Sequence, residues 1–206
     1  MRKKVTRAAG LAGLAAAATG AGVLAVAIGA ATPALAGIED TGGTASIAVS
    51  HSTVNGLARA GIVVLPAAPG GASVSRTGRE FVTLPVSGGD GNFVGTSGTV
   101  DLAGGLVFTD GATRLSVTLT GLTFDYSTGN IGGVAGTRNV ALVSVGGALS
   151  GSSSAGPPAT QTFTASALLV TKAGARFLNS ELHTKYFAEG RQIGSFATTY
   201  DTATTS

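Results

Sequence analysis

The residues best equipped for chemistry fall in one short run, His183-Thr184-Lys185-Tyr186-Phe187. Thr171 reads as an N-cap for a helix over Lys172–Leu182, in which Ala175, Leu178 and Leu182 are spaced as a buried stripe. If that helix persists for one more turn, His183 and Tyr186 stand at i, i+3 and share a face. A tyrosine phenolate can ligate ferric haem, and a neighbouring hydrogen bond can tune such a ligand, so His183 and Tyr186 are the candidate cofactor-binding residues. A plainer alternative exists for the same run. Tyr186 and Phe187 would cover a sheet edge after the helix while His183 is solvated, because isolated His and aromatic residues at helix ends commonly serve packing. Tyr126 and Tyr200 are the other phenols in the chain and the alternative haem ligands to Tyr186.

Other chemistries find little support. The chain has no cysteine, which excludes disulfide scaffolds, thiolate nucleophiles, zinc ribbons and iron–sulfur clusters. No serine lies in a Gly-x-Ser-x-Gly elbow. The carboxylates are spread singly, and Asp90 and Asp110 fall at turns whose geometry already accounts for them. The expectation is therefore a protein that is not an enzyme. Gly-Gly-Asp-Gly-Asn at 88–92 could offer calcium oxygens, but without further acids in register it lacks the ligand count calcium needs and reads as a turn; no metal is expected.

Charge points to export. Across 206 residues, 13 Lys+Arg and 10 Asp+Glu give a formal charge of +3. Four of the cations lie in Met-Arg-Lys-Lys-Val-Thr-Arg, and no charged residue follows until Glu39. The Ala/Gly/Leu/Val tract between them ends in Ala34-Leu35-Ala36, the order of a secretory signal peptide, with cleavage expected before Gly37. No adjacent arginine pair is present, so the general secretion route is expected. Removing residues 1–36 leaves nine Lys+Arg against ten Asp+Glu, a net charge of −1. The remaining cations are scattered, so no basic stripe is available to neutralise phosphates and no nucleic-acid partner is expected. A sorting motif, a lipobox and an apolar C-terminal tail are all absent, so covalent surface attachment is not indicated. After cleavage, residues 37–206 are expected as one secreted β-rich domain, off the membrane, meeting an extracellular or envelope ligand.

The elements that must position these residues are mostly strands. Thr44–Ser50 alternates, and a short helix follows over Val54–Ala60, closed by Gly61. Ile62–Leu65 and Phe81–Val86 read as strands, the second pushed toward an edge by Pro85. Ala67–Gly78 reads as a Pro/Gly/Ser loop between them. Strand patterns recur at Gly98–Leu102 and Leu106–Phe108, and Asp110-Gly111 predicts a type I′ hairpin turn. In Arg114–Tyr126 the apolar phase slips by one residue at Gly121, which predicts a bulge or strong bend at Thr120-Gly121. A Gly-interrupted strand region covers Ile131–Val145, a flexible loop Gly146–Thr160, and further strands Gln161–Val170 and Gln192–Tyr200. The fold class is mainly β, an antiparallel β-sandwich or barrel-like domain with two short helices.

Two stretches resemble the haem-transport-associated domain of secreted and surface proteins of Gram-positive actinobacteria. Gly98-Thr99-Val100-Asp101-Leu102-Ala103-Gly104-Gly105-Leu106, with the Thr/Leu-rich strand after it, is similar to that family's strand–Gly turn–strand hairpin. Leu169–Ala175, followed by Tyr186-Phe187-Ala188-Glu189-Gly190, is similar to its closing helix and aromatic-x-x-Gly segment. The family's Trp-containing N-terminal helix has no counterpart, and the histidine usually found in its Gly-rich hairpin is absent from Val100–Phe108. The resemblance implies a secreted β-rich domain of related shape, and it implies haem as the ligand only through Tyr186 and His183.

Overall fold

The computed structural model describes residues 42–76, 79–93, 96–154 and 159–202. The expected signal peptide at 1–36 and its expected cleavage before Gly37 lie outside the described residues. Ten strands and two helices follow in chain order. They are β1 (Gly43–Val49), α1 (His51–Arg59), β2 (Ile62–Ala67), β3 (Gly71–Val74), β4 (Glu80–Gly89), β5 (Thr99–Asp110) and β6 (Ser116–Asp125), then β7 (Asn130–Ala135), β8 (Arg138–Ser153), β9 (Ala159–Val170), α2 (Lys172–Glu181) and β10 (Gln192–Thr202).

Every pairing between these strands is antiparallel, and the order β5-β6-β7-β8-β9-β10-β1-β4 returns to β5 through Val86↔Leu102 and Gly89↔Val100. The eight strands therefore close into a barrel, and the remaining sheet edges fall on the short strands β2 and β3. Closure is confined to one end of the β4–β5 seam. Toward the other end β5 pairs with β2 (Ile62↔Asp110) and β4 with β3 (Gly71↔Thr83), so two short strands flank the splayed part. Pro85, expected at an edge, falls where β4 changes partner from β3 to β5.

The inside is apolar. Phe124, Phe163 and Phe196 meet with centroids 5.1–6.4 Å apart, joined by Tyr126 at 4.6 Å from Phe124. The outside carries Thr and Ser, whose hydroxyls meet across strands: Ser150 with Thr164 at 2.6 Å, Thr162 with Thr199 at 3.3 Å. A lipid-facing barrel has the inverse distribution. No helix among the described residues is long and apolar enough to cross a membrane.

Both helices sit at the end where β1 and β9 finish. Ser50 caps α1 by accepting from the Thr53 N–H, and Thr171 caps α2 by accepting from the Gly174 N–H. Helix α2 buries Ala175, Phe177 and Leu178 and lies so close to β8 that a Cβ at Gly174 would stand 2.2 Å from the Leu142 carbonyl oxygen. Only glycine permits that approach.

Several local expectations are corrected. The bulge at Thr120-Gly121 is present: Gly121 has φ +54°, and the register shifts on both sides of β6. Its effect is to bury Leu119 and Leu122 completely on the same side, bending the strand around the barrel. Asp110-Gly111 does not form a type I′ turn. Asp110 Oδ1 accepts from the N–H groups of Ala112 and Thr113, which opens a longer loop in which Arg114, not Gly111, takes positive φ. Within the expected loop Ala67–Gly78, Gly71–Val74 pairs with β4 as β3, and much of the expected loop Gly146–Thr160 is strand, because β8 continues to Ser153 against β9. In both, backbone pairing overrides a Gly/Ser composition.

Candidate functional site

Helix α2 stops at Glu181, with Leu182 as its C-cap, and His183 takes the left-handed conformation at φ +52°. The extra helical turn that would align His183 with Tyr186 is not formed. Asn179 sets the path instead: its Nδ2 donates to Phe187 O at 2.7 Å while its Oδ1 accepts from Phe187 N–H at 3.0 Å. His183 is left exposed and Phe187 is buried against Phe108. Tyr186 is half-buried. Its hydroxyl donates to Thr53 O in α1 at 3.3 Å, the Arg191 guanidinium lies 4.4 Å over its ring, and Phe187 meets it edge-on. A Cβ at Gly56 would stand 2.5 Å from Tyr186 Oη, so the phenol occupies space that a glycine in α1 leaves free.

This packing bears on haem. A ligating tyrosine must present a phenolate oxygen to open space, whereas Tyr186 Oη is turned onto the α1 backbone with its ring covered by Arg191. As packed, His183 and Tyr186 do not fit an iron-binding pair. The other two tyrosines fit no better. Burial, above all, pushes the Tyr126 hydroxyl far above the ordinary tyrosine range, and it pushes Tyr200 upward as well. Their hydroxyls also meet each other at 3.3 Å, and that of Tyr200 donates to Gly91 O.

Tyr126 and Tyr200 define the opposite end of the barrel. Tyr200 Oη lies 3.0 Å from Gly91 O, to which it donates, and 3.3 Å from the Tyr126 hydroxyl. Gln161 Oε1 stands 3.2 Å from Tyr200 Oη and accepts from Phe93 N–H at 2.9 Å. These contacts tie the start of β9, the end of β10 and the β4–β5 connection together. Beside them opens a cavity of about 460 Å³, walled by Val86, Gly89, Val100, Gln161 and Tyr200, with Asp90 and Asp201 also in its lining. Asp90 Oδ1 accepts from Thr99 N–H at 2.9 Å, and Asp201 Oδ1 accepts from the Thr160 hydroxyl at 2.7 Å.

From sequence alone Tyr126 and Tyr200 are alternative haem-ligating phenols, and nothing in the motifs singles out Gln161 or Asp201. A signal was present. Gln161 stands in phase with the inward residues Phe163 and Ala165, so a side chain with two polar ends is placed where the strand otherwise turns apolar groups inward. Thr198, between Phe196 and Tyr200, carries the same signal. Gly-Gly-Asp-Gly-Asn, read as a plain turn, extends β4 through Gly89 and then supplies the cavity wall.

The chain is a closed antiparallel barrel with two helices at one end and the cavity beside Tyr200 and Gln161 at the other. No protein-family model and no curated protein sequence matches the chain. Among solved structures it is similar to the crystal structure of the C-terminal domain of HtaA from Corynebacterium glutamicum, at 10% identity and a TM-score of 0.52. The match covers 78% of this chain and 97% of that domain. The resemblance to the haem-transport-associated domain is thus one of fold.

Proposed function

We propose that the protein is an exported, non-enzymatic binding module of the cell envelope or the extracellular space, and that it binds at the end of the barrel opposite the helices. The observation that carries this is the cavity beside Tyr200 and Gln161, where buried polar groups meet an apolar wall in the manner of small-molecule sites. Its lining holds two carboxylates, two amides and three hydroxyls beside apolar side chains, a set suited to recognition. Export rests on the cationic start, the uncharged tract and Ala34-Leu35-Ala36.

Export is tested by expressing the full chain in a Gram-positive host and sequencing the N-terminus of protein recovered from the medium. A start at Gly37 supports it, and retention in the cells with residues 1–36 intact sinks it. A haem-binding reading is favoured by the shared fold alone. Haemin added at micromolar concentration decides it. A Soret shift that disappears in Tyr186→Phe would move the function to the helix end; no Soret shift would leave the cavity end as the binding site.

A further inference from the structure

The charged side chains of the barrel are sorted between its two ends, and the ends differ in sign. Antiparallel strands bring alternate connections to the same end, so cations far apart in the sequence become neighbours. Arg59 closes α1, Arg76 and Arg79 lie in the β3–β4 connection, and Arg114 lies in the β5–β6 loop. Arg138 opens β8, Lys172 and Arg176 stand on α2, and Lys185 and Arg191 lie between α2 and β10. The ladder ends Val49↔Glu80, Ile62↔Asp110, Thr109↔Ser116 and Ala135↔Arg138 put all these connections at the helix end. All nine cations are exposed, and they are every Lys and Arg after residue 36.

Nine cations against the four acids Glu80, Asp110, Glu181 and Glu189 leave that end at a net +5. Two of those acids are already engaged. Asp110 is buried and accepts from the Ala112 and Thr113 N–H groups, and Glu181 pairs with Arg138. No other ion pair forms among the described residues. The opposite end carries Asp90, Asp101, Asp125 and Asp201, with no cation among the described residues. An extended anionic surface would therefore orient the molecule, drawing in the helix end and turning the acidic end away.

The cations come from six segments around the barrel mouth, so they form a face and not the stripe along one element that a nucleic-acid duplex calls for. Seven of the nine are arginines, whose planar forks take phosphate oxygens in pairs. A second copy would offer only the four carboxylates of its acidic end. The exposed large apolar side chains Leu65, Val74 and Leu149 are spread over three strands, so contact would be by charge and without insertion. We propose that the helix end docks on the headgroup surface of an anionic phospholipid bilayer, leaving the cavity end facing outward. This contact is separate from binding at the cavity and rests on neither the cavity nor export.

The test is cosedimentation with vesicles of mixed phosphatidylglycerol and phosphatidylcholine, against vesicles of phosphatidylcholine alone. Residues 37–206 are used, since they hold every described strand and helix and all nine cations, whereas the apolar tract before them would bind lipid by itself. Binding to the anionic vesicles alone is expected at about 0.05 M NaCl, with release at about 0.5 M. Arg59→Gln/Arg176→Gln should weaken it about 30-fold, or about fivefold per cation removed. If the double variant fails to fold, either single variant serves. Asp101→Asn, at the far end, should leave binding unchanged, and its side chain keeps the acceptor for the Thr123 hydroxyl. Equal binding to both vesicles, persistence at the higher salt, or indifference to the arginine variants overturns the proposal. So does a gain in Asp101→Asn equal to the loss per arginine, which would make net charge the cause. Sedimentation without vesicles would replace lipid with a second copy, and release by equimolar duplex DNA would replace it with nucleic acid. Failure of the cavity or export readings leaves each of these outcomes as it stands.

Discussion

Tyr200→Phe removes one oxygen and probes how the cavity end is held. Tyr200 is 5% exposed, and its hydroxyl ties Gly91 O, the Tyr126 hydroxyl and Gln161 Oε1. The ring stays and its packing is kept, so the loss is confined to hydrogen bonding. The buried Gly91 carbonyl loses its tyrosine donor and the Tyr126 hydroxyl loses its partner. Leaving such groups unmatched costs about 1–3 kcal/mol. For a chain of this size about 2 kcal/mol lowers the melting temperature by roughly 4–8 °C. Chemical denaturation should show a lower midpoint with an unchanged slope. A second signature comes from alkaline pH. Both phenols are held protonated in the folded state, above the ordinary value of 10.0 that they regain on unfolding. Their stabilisation is full below pH 10 and falls as the pH rises further, because the unfolded chain then gives up protons that the native state keeps. The wild type has two such groups and the variant one, so the gap between them should narrow above pH 10. A variant as stable as the wild type at pH 7, or a gap that widens with pH, would refute the network.

Other perturbations probe the rest of the account. Thr198→Val removes a buried hydroxyl with no hydrogen-bond partner and keeps its volume, so denaturation should show a gain of about 1 kcal/mol or more. Gly121→Ala should cost about 1 kcal/mol from the positive φ alone, since nothing lies within 4 Å of the added methyl. Phe163→Ala opens the centre of the aromatic cluster and should cost about 3–5 kcal/mol in the same assay. In acid, the Asp110 carboxylate, lowered mainly by the Ala112 N–H, and that of Asp125, lowered mainly by the Ser127 hydroxyl, stabilise the fold above pH 3.8. That contribution disappears as the pH falls through their folded-state values, and Asp125→Asn should flatten the acid limb of the stability curve.

Alternation made most of the strands legible, because half-buried strands write their faces directly into the sequence. The slip at Gly121 was readable for the same reason: a phase change with apolar residues on both sides must be absorbed by a bulge. What composition concealed was strand built from Gly, Ser and Ala. Gly71–Val74 and Gly146–Ser153 are strands because a neighbour offers backbone partners, which local propensity cannot register. Closure itself was not legible. Three ladder pairs between Val86–Gly89 and Val100–Leu102 separate a barrel from an open sheet, and they join segments with no shared pattern. At the helix end the periodicity through Leu182 was correct, but Asn179 ends the helix by capturing Phe187, so His183 and Tyr186 diverge. The cavity end was half legible, in Gln161 and Thr198 standing where apolar residues were due.

The claim that binding takes place at the end opposite the helices is tested most directly by the Gln161 side-chain amide. In 15N–1H spectra recorded while a set of small polar metabolites is titrated in, the paired Nε2 resonances should move saturably with one of them, while the backbone resonances of Thr53 and Tyr186 stay fixed. An unmoved Gln161 amide, with changes at Thr53 and Tyr186 instead, would place the site among the helices and contradict the account.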